Sequence, residues 1–257
     1  MKQLPLSVAV ISFNEERIIH KMLDSISSIA SEIIVVDSGS TDKTIEIAKK
    51  NGARVYIEEW KGHVAQKNSA LSKCTNDWIL SLDCDEIPDL DLLNEISDII
   101  NNKTFGAYQL NRATFYLGKM LKYAWQPDWN LRLVHKSTEP IWKGKDPHDK
   151  LYCNVKSKKI NGKLIHHSYT GIYHHYSKLV RYAQISAESY HSEGKLFKIS
   201  NLIVNPLSAF IRQYILRNAW KDGIHGFLVA TSTMISTFLK YSFLWEIQSI
   251  SKKNQEK

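Results

Sequence analysis

Asp83, Asp85 and Glu86 follow directly on the apolar run Trp78-Ile79-Leu80-Ser81-Leu82. Two aspartates separated by a single residue can hold a hard divalent cation through oxygen, and the cation can then neutralise a phosphate. The run before them is short, hydrophobic and cut off by charge, which reads as a buried strand. Acids at the carboxyl end of such a strand face the crevice where open α/β sheets bind ligands. The competing use is an acidic strand-to-helix turn, with an Asp or Glu capping a helix near Leu90. The Asp-x-Asp pattern alone does not separate the two uses, so the elements before it decide.

Leu6–Phe13 is a β-rich run, and Asn14-Glu15-Glu16 opens a helix behind it. Ile18, Ile19, Met22, Leu23, Ile26 and Ile29 recur at helical spacing. Glu32–Val36 reads as a second strand ending in Asp37, followed by a turn, Ser38-Gly39-Ser40-Thr41-Asp42, with helix-capping chemistry. The next helix, Lys43–Asn51, stops at Gly52, which suits a left-handed C-cap. Ala53–Ile57 is a third strand, Val64–Ser72 a helix, and Trp78–Leu82 the fourth strand. Strands alternating with helices at this spacing predict a parallel sheet. A dinucleotide site is excluded, because Ser12-Phe13-Asn14-Glu15-Glu16 stands where Gly-x-Gly-x-x-Gly would be needed.

Beyond Asn101 the texture changes. Ala107–Leu117, Asn130–Val134 and Lys163–Ser168 read as strands, and Ile141–Lys150 as a polar loop rich in titratable groups. From about Gly171 the pattern turns helical, with Pro206 as an interruption. Ile224–Leu239 is the most apolar late stretch, but His225 and several hydroxyl residues make it too short and polar to read as a span. The chain has 257 residues, and Lys and Arg exceed Asp and Glu by 34 to 26, a net +8. That balance suits an anionic partner such as a nucleotide, a phosphorylated glycan or anionic lipid. The three cysteines form no paired spacing, so a reducing cytosol is expected rather than a disulfide framework. The first residues carry no long apolar segment, and no signal peptide is read there.

Four pieces now stand in order: Val-Ile-Ser-Phe-Asn-Glu-Glu at strand one, Ile-Val-Val-Asp-Ser-Gly-Ser-Thr-Asp at strand two, Gln66-Lys67-Asn68 on the third helix, and Leu82-Asp83-Cys84-Asp85-Glu86 at strand four. Together they resemble the family 2 glycosyltransferases, inverting enzymes of the GT-A fold that use nucleotide sugars. Three later pieces resemble the subgroup that adds glucose to the inner core of bacterial lipopolysaccharide. They are Asp128-Trp129-x-x-Arg132-Leu133, Pro147-His148-Asp149 and Phe238-Leu239-Lys240-Tyr241-x-x-Leu244-Trp245-Glu246. The resemblance implies an α/β GT-A domain over residues 1–170, Rossmann-like, with a mostly parallel central sheet flanked by helices. A C-terminal helical region, 171–257, would form an appendage packed on that core.

The resemblance also implies roles. Asp37 would accept the N3–H of uracil, against its alternative as a turn residue. Ser12, Asn14 and Glu15 would touch base or ribose, against simple helix capping. Lys67 would serve the nucleotide as a point charge, against a solvated helix lysine. Asp83 would contact ribose or the metal's water shell, and Asp85 would bind Mg²⁺ or Mn²⁺ between the phosphates. Cys84 faces the other way and reads as inert core. An inverting displacement needs one carboxylate to take the acceptor proton. The candidates are Asp128, Asp146 and Asp149, with Asp149 first and Asp146 second. His148 would steer the base or complete the metal shell, and Arg132 would pin the diphosphate. Trp125 and Trp129 read as core more readily than as sugar platforms.

His166-His167 and His174-His175 fit no standard zinc spacing and read as structural or acceptor-side residues. The C-terminal helices mix apolar residues with Arg212, Arg217, Lys221 and Lys240. That mixture reads first as a packed appendage, and is compatible as well with a basic surface resting on the inner face of the cytoplasmic membrane. The expected partners are a UDP-sugar, UDP-glucose by the subgroup, and a lipid-linked glycan acceptor, with a same-fold transferase acting on a capsule sugar or a lipid phosphate as the nearer alternative. Nucleic acid explains the charge but not the ordered acids. A non-catalytic nucleotide-sugar scaffold would have no use for intact Asp83, Asp85 and Asp149. A sugar nucleotidyltransferase would want a Gly- and Arg-rich loop after strand one, which is absent.

Overall fold

The computed structural model describes residues 3–103, 105–144 and 149–255. The chain divides into two compact units, residues 1–113 with 128–166 and residues 114–127 with 167–257.

The first unit begins with β1 (Leu4–Ser12), α1 (Ile19–Ile26), β2 (Ala30–Asp37), α2 (Thr44–Lys50), β3 (Arg54–Ile57), α3 (His63–Lys73) and β4 (Trp78–Asp83). β1 pairs in parallel with β2 on one side and with β4 on the other, and β3 extends the edge beyond β2. Strand order therefore reverses at β1, and such a switch point is where open sheets leave a ligand crevice. Register fixes what faces that crevice: Ser12 lies beside Asp37, and Ile11 beside Asp83. β1 and β4 are buried along nearly their whole length, as expected of central strands built from unbroken Val, Ile and Leu. α1 presses Ile19, Met22, Leu23 and Ile26 into the core, the spacing its sequence predicts. Gly52 adopts φ of +79° just past α2, in the left-handed region its position requires.

After β4 come β5 (Glu86–Pro88), α4 (Leu90–Asn101), β6 (Ala107–Tyr116), β7 (Lys119–Met120), β8 (Trp129–His135), β9 (Ile141–Lys143), β10 (Lys150–Tyr152) and β11 (Lys158–His166). Among the described residues the main sheet has nine strands, in the order β3-β2-β1-β4-β8-β6-β11-β5 with β7 on β6. The four-strand half through β4 is parallel; β8 joins β4, and β5 joins β11, antiparallel. β9 and β10 form a separate hairpin.

β6 ends in the second unit, which also holds α5 (Ile172–Ser192), α6 (Val204–Ile211) and α7 (Ile224–Gln255). Its core gathers Tyr116, Leu121, Ala124, Ala219 and Val229. Pro206 does not interrupt a helix: it lies in the first turn of α6, where a missing N–H costs nothing. α7 packs on α5 and α6. It continues well past Leu239, and Ile224–Ile250 is long and apolar enough, by length and composition, to cross a membrane. The hydroxyls that make this stretch read as polar turn back on the helix: Ser232 and Thr233 each donate to the Val229 carbonyl at 2.8 Å.

Candidate active site

The carboxyl ends of β1, β2 and β4 carry the sequence-predicted residues. Asp37, at the end of β2, is fully buried. One carboxylate oxygen accepts from the Gly39 and Ser40 backbone N–H groups at 2.9 and 2.7 Å. The other accepts from the Ser12 and Ser40 hydroxyls at 2.7 and 2.6 Å. Four donors occupy its acceptor positions, so in this geometry Asp37 shapes the loop that walls the crevice. Asn14, in the left-handed region at φ 55°, accepts through Oδ1 from the Thr41 N–H at 2.9 Å. The Glu15 N–H donates to the Thr44 hydroxyl at 2.7 Å. Ser12, Asn14 and Glu15 thus tie the loop after β1 to the loop after β2. Gln66 on α3 donates to the Ser38 hydroxyl at 3.1 Å, while its own buried Oε1 has no hydrogen-bond partner among the described residues.

Beside that wall lies a mesh of charges. Asp83 accepts from Lys67 at 3.1 Å through one oxygen and from Arg132 at 3.1 Å through the other. Lys67 also pairs with Asp149 at 2.9 Å, and its ammonium lies 4.3 Å from the centroid of the Trp142 ring. Both Lys67 and Arg132 are buried, so neither is a solvated surface cation. Burial alone would push the Asp83 carboxyl up, but the Lys67 and Arg132 charges outweigh it and hold the group well below the usual carboxylate range. Burial likewise works against the Arg132 charge, and Glu86 and Asp83 together raise its affinity for the proton.

Glu86, which the sequence presents only as the last acid of the run, anchors this mesh. It is fully buried, accepts from Arg132 at 2.7 Å, and stands 3.5 Å from Arg112. Its second oxygen accepts the Asp83 backbone N–H at 3.1 Å. Arg112 in turn pairs with Asp128 at 2.8 Å, which occupies one of the carboxylates considered as a base. The helix cap that competed for these acids is supplied by Asp89, whose side chain accepts from the Leu92 N–H at 2.8 Å. Cys84 is buried, and burial followed by the nearby Glu15 pushes its thiol up, consistent with an inert core residue. Asp146 and His148 lie outside the described residues.

Asp85 does not join the mesh. Its Oδ2 lies 3.2 Å from Nε2 of His166, and both side chains are partly open. The neighbour follows from the pairing of β11 with β5, which sets His166 opposite Glu86. The spacing of His166-His167 carries no such signal; only the antiparallel closure of the sheet brings the ring to Asp85. Among the described residues no cluster of three or more His, Cys, Asp and Glu could hold a metal. The Asp85–His166 pair offers, among the described residues, one carboxylate oxygen and one imidazole nitrogen. That donor pair fits a divalent ion whose remaining positions are filled by phosphate oxygens and water.

The comparisons agree with this fold. The Glycosyl transferase family 2 model matches residues 7–165. An uncharacterized glycosyltransferase of Rickettsia typhi is 30% identical over 262 residues, covering 97% of this chain and 89% of the relative. The lipopolysaccharide core biosynthesis glycosyltransferase LpsC of Rhizobium meliloti is 27% identical, covering 98% of this chain and 96% of its own. Among solved structures, a mannosyltransferase from Pyrobaculum calidifontis, in complex with GDP-Man and Mn²⁺, superposes with a TM-score of 0.56 at 14% identity. That match covers 95% of this chain and 88% of the other. The matched span runs from within β1 to the penultimate residue of β11 and takes in the switch point and the charge mesh, and on that ground the chain belongs to glycosyl transferase family 2.

Proposed function

We propose that the protein is an inverting hexosyltransferase that moves glucose from UDP-glucose to a lipid-linked glycan of the lipopolysaccharide inner-core type. The observation that carries this reading is the buried pair of cations, Lys67 and Arg132, held over Asp83 beside the open Asp85–His166 pair. Fixed cations next to a two-ligand metal position suit a leaving nucleoside diphosphate. The near full-length likeness to a lipopolysaccharide core glycosyltransferase supports the acceptor class.

Asp85 and His166 would hold Mg²⁺ or Mn²⁺, which when bound supplies charge cover for the departing diphosphate. Asp83 orients the ribose end of the donor while Arg132 and Glu86 keep its carboxylate in place. Gln66, with its unpartnered oxygen, faces the loop that Asp37, Ser12 and Asn14 shape for the base. Lys67 bridges Asp83 and Asp149 in the free enzyme; an arriving diphosphate offers that ammonium a new anionic partner and frees an Asp149 oxygen. Asp149 then takes the proton of the acceptor hydroxyl as its oxygen bonds to the anomeric carbon. The bond from that carbon to the diphosphate oxygen breaks, and its electron pair leaves with UDP.

A thermal-shift panel of nucleotide sugars, in Mn²⁺ and in EDTA, tests this first. A donor at 100 times its Kd adds about 2.7 kcal/mol of stability. UDP-glucose is expected to raise Tm in Mn²⁺ alone, and Asp85→Ala to lose both the shift and, on the order of a hundredfold or more, kcat/KM. Asp149→Asn is expected to keep the shift and lose kcat by about 10² to 10⁴. A shift with GDP-mannose instead would overturn the donor, and full turnover by Asp149→Asn would overturn the base.

A further inference from the structure

In the second unit, α6 and the turn that prolongs it are amphipathic in the inverted sense. Pro206, Ala209 and Gln213 are buried, while Ile203, Leu207, Ile211, Ile215 and Leu216 are 63, 53, 48, 55 and 71% exposed. A helix of a water-soluble fold turns its large aliphatics inward and its small and polar residues out. Here the large residues recur every four positions along the outer face, through α6 and the wider-wound turn Arg212–Leu216 that follows it. An aliphatic row of this length, left in water, marks an interaction surface.

Charge says what covers it. From Lys198 to Lys221 the chain carries Lys198, Arg212, Arg217 and Lys221 and not one acid. The next acid, Asp222, is buried and spends its carboxylate on the backbone N–H groups of Lys122, Tyr123 and Ala124. Trp220 stands half exposed at the end of the row, the residue type that favours the boundary between headgroups and acyl chains. Aliphatics in a row, cations in the same segment, an aromatic at its end and no acid between Lys198 and Lys221 fit the headgroup boundary of an anionic bilayer better than a protein surface.

We propose that the outer face of α6 and its following turn docks into an anionic lipid surface. Leu207, Ile211 and Ile215 enter the acyl boundary, and Arg212, Arg217 and Lys221 meet lipid phosphates. This deepens the lipid-linked acceptor reading, but the test contains neither donor nor acceptor, so each can fail without the other.

Full-length protein is sedimented with phosphatidylcholine vesicles and with vesicles that also carry about 30% phosphatidylglycerol. Binding is expected only to the anionic vesicles, weakening as salt rises. Leu207→Glu/Ile211→Glu is expected to lower the affinity on the order of tenfold or more, and Arg212→Gln/Arg217→Gln to lower it by several-fold. Unchanged circular dichroism and melting in both variants show that the fold survives. Should the aliphatic variant not fold, the wild-type protein decides by quenching from lipids brominated in the acyl chain, with Trp220→Phe losing the quenched component. Binding to neutral vesicles alone, or no quenching, overturns the proposal. So does a dimer in solution that Leu207→Glu/Ile211→Glu makes monomeric while neither form binds vesicles, because a second copy would then be the occupant.

Discussion

Glu86 holds more of the site together than either aspartate before it. It faces Arg132 and Arg112 and fixes the backbone on which Asp83 stands. Removing one member of a buried ionic group leaves the others desolvated and unpaired, which costs about 3–5 kcal/mol. Glu86→Ala is expected to lose stability on that scale in urea unfolding, and Glu86→Gln, which keeps an acceptor oxygen for Arg132, distinctly less. An alanine variant within about 0.5 kcal/mol of wild type would show that the network is not holding the site. The sequence made Asp83 and Asp85 legible because both follow one apolar run. It left Glu86 unassigned, since its partners come from Arg112 and Arg132, and a carboxylate's partner cannot be read across such separations. Asp149 is named from the sequence as the first candidate base, but its cation, Lys67 on α3, is not legible there for the same reason. The zinc-spacing argument looks along the chain and reads His166 as structural or acceptor-side, whereas Asp85 reaches it across a sheet.

At the scale of elements, the parallel half was legible and the antiparallel half was not, for a reason of length. Strands β1, β2 and β4 are long apolar runs separated by helices of regular period. β5 has three residues, too few for a pattern, yet its pairing with β11 is what closes the site. That closure depends on how near β11 passes to α4. A Cβ on Gly162 would stand 2.2 Å from the Leu92 Cα and 2.3 Å from its nitrogen, backbone that cannot swing aside. Gly162→Ala is therefore expected to cost about 1–3 kcal/mol or more by overpacking. Because β11 carries His166, the same variant should also shrink the Mn²⁺-dependent rise in Tm given by UDP-glucose. A full-sized rise would show that the His166 ring takes no part in holding the metal.

At the scale of the whole molecule, the two units have separate cores and titrate differently. In the second, His175 is buried with Nδ1 2.9 Å from the Tyr116 hydroxyl. Burial, with a smaller push from His174, lowers its pKa from the ordinary 6.5 to about 4. Between those values an unfolded chain binds a proton that the folded imidazole refuses. Stability therefore rises with pH across this window, by at most about 1.4 kcal/mol per pH unit, and is flat above it. In the first unit the shifted carboxylates, Glu32, Asp42, Glu58 and Asp83, are all lowered, from ordinary values of 4.5, 3.8, 4.5 and 3.8. Their contribution is complete above those values and is lost only as pH falls below them, so they are silent between pH 7 and 5. Calorimetry is therefore expected to resolve two transitions. UDP-glucose with Mn²⁺ raises one of them, and acidification from pH 7 to 5 lowers the other. His175→Asn, whose side chain can still meet the Tyr116 hydroxyl but does not titrate, flattens the acid response and leaves the donor response intact. A single transition moved by both donor and acid would show instead that the two cores melt as one cooperative body, and a donor bound at the carboxyl ends of β1 and β4 would then stabilise the lipid-facing helices as well.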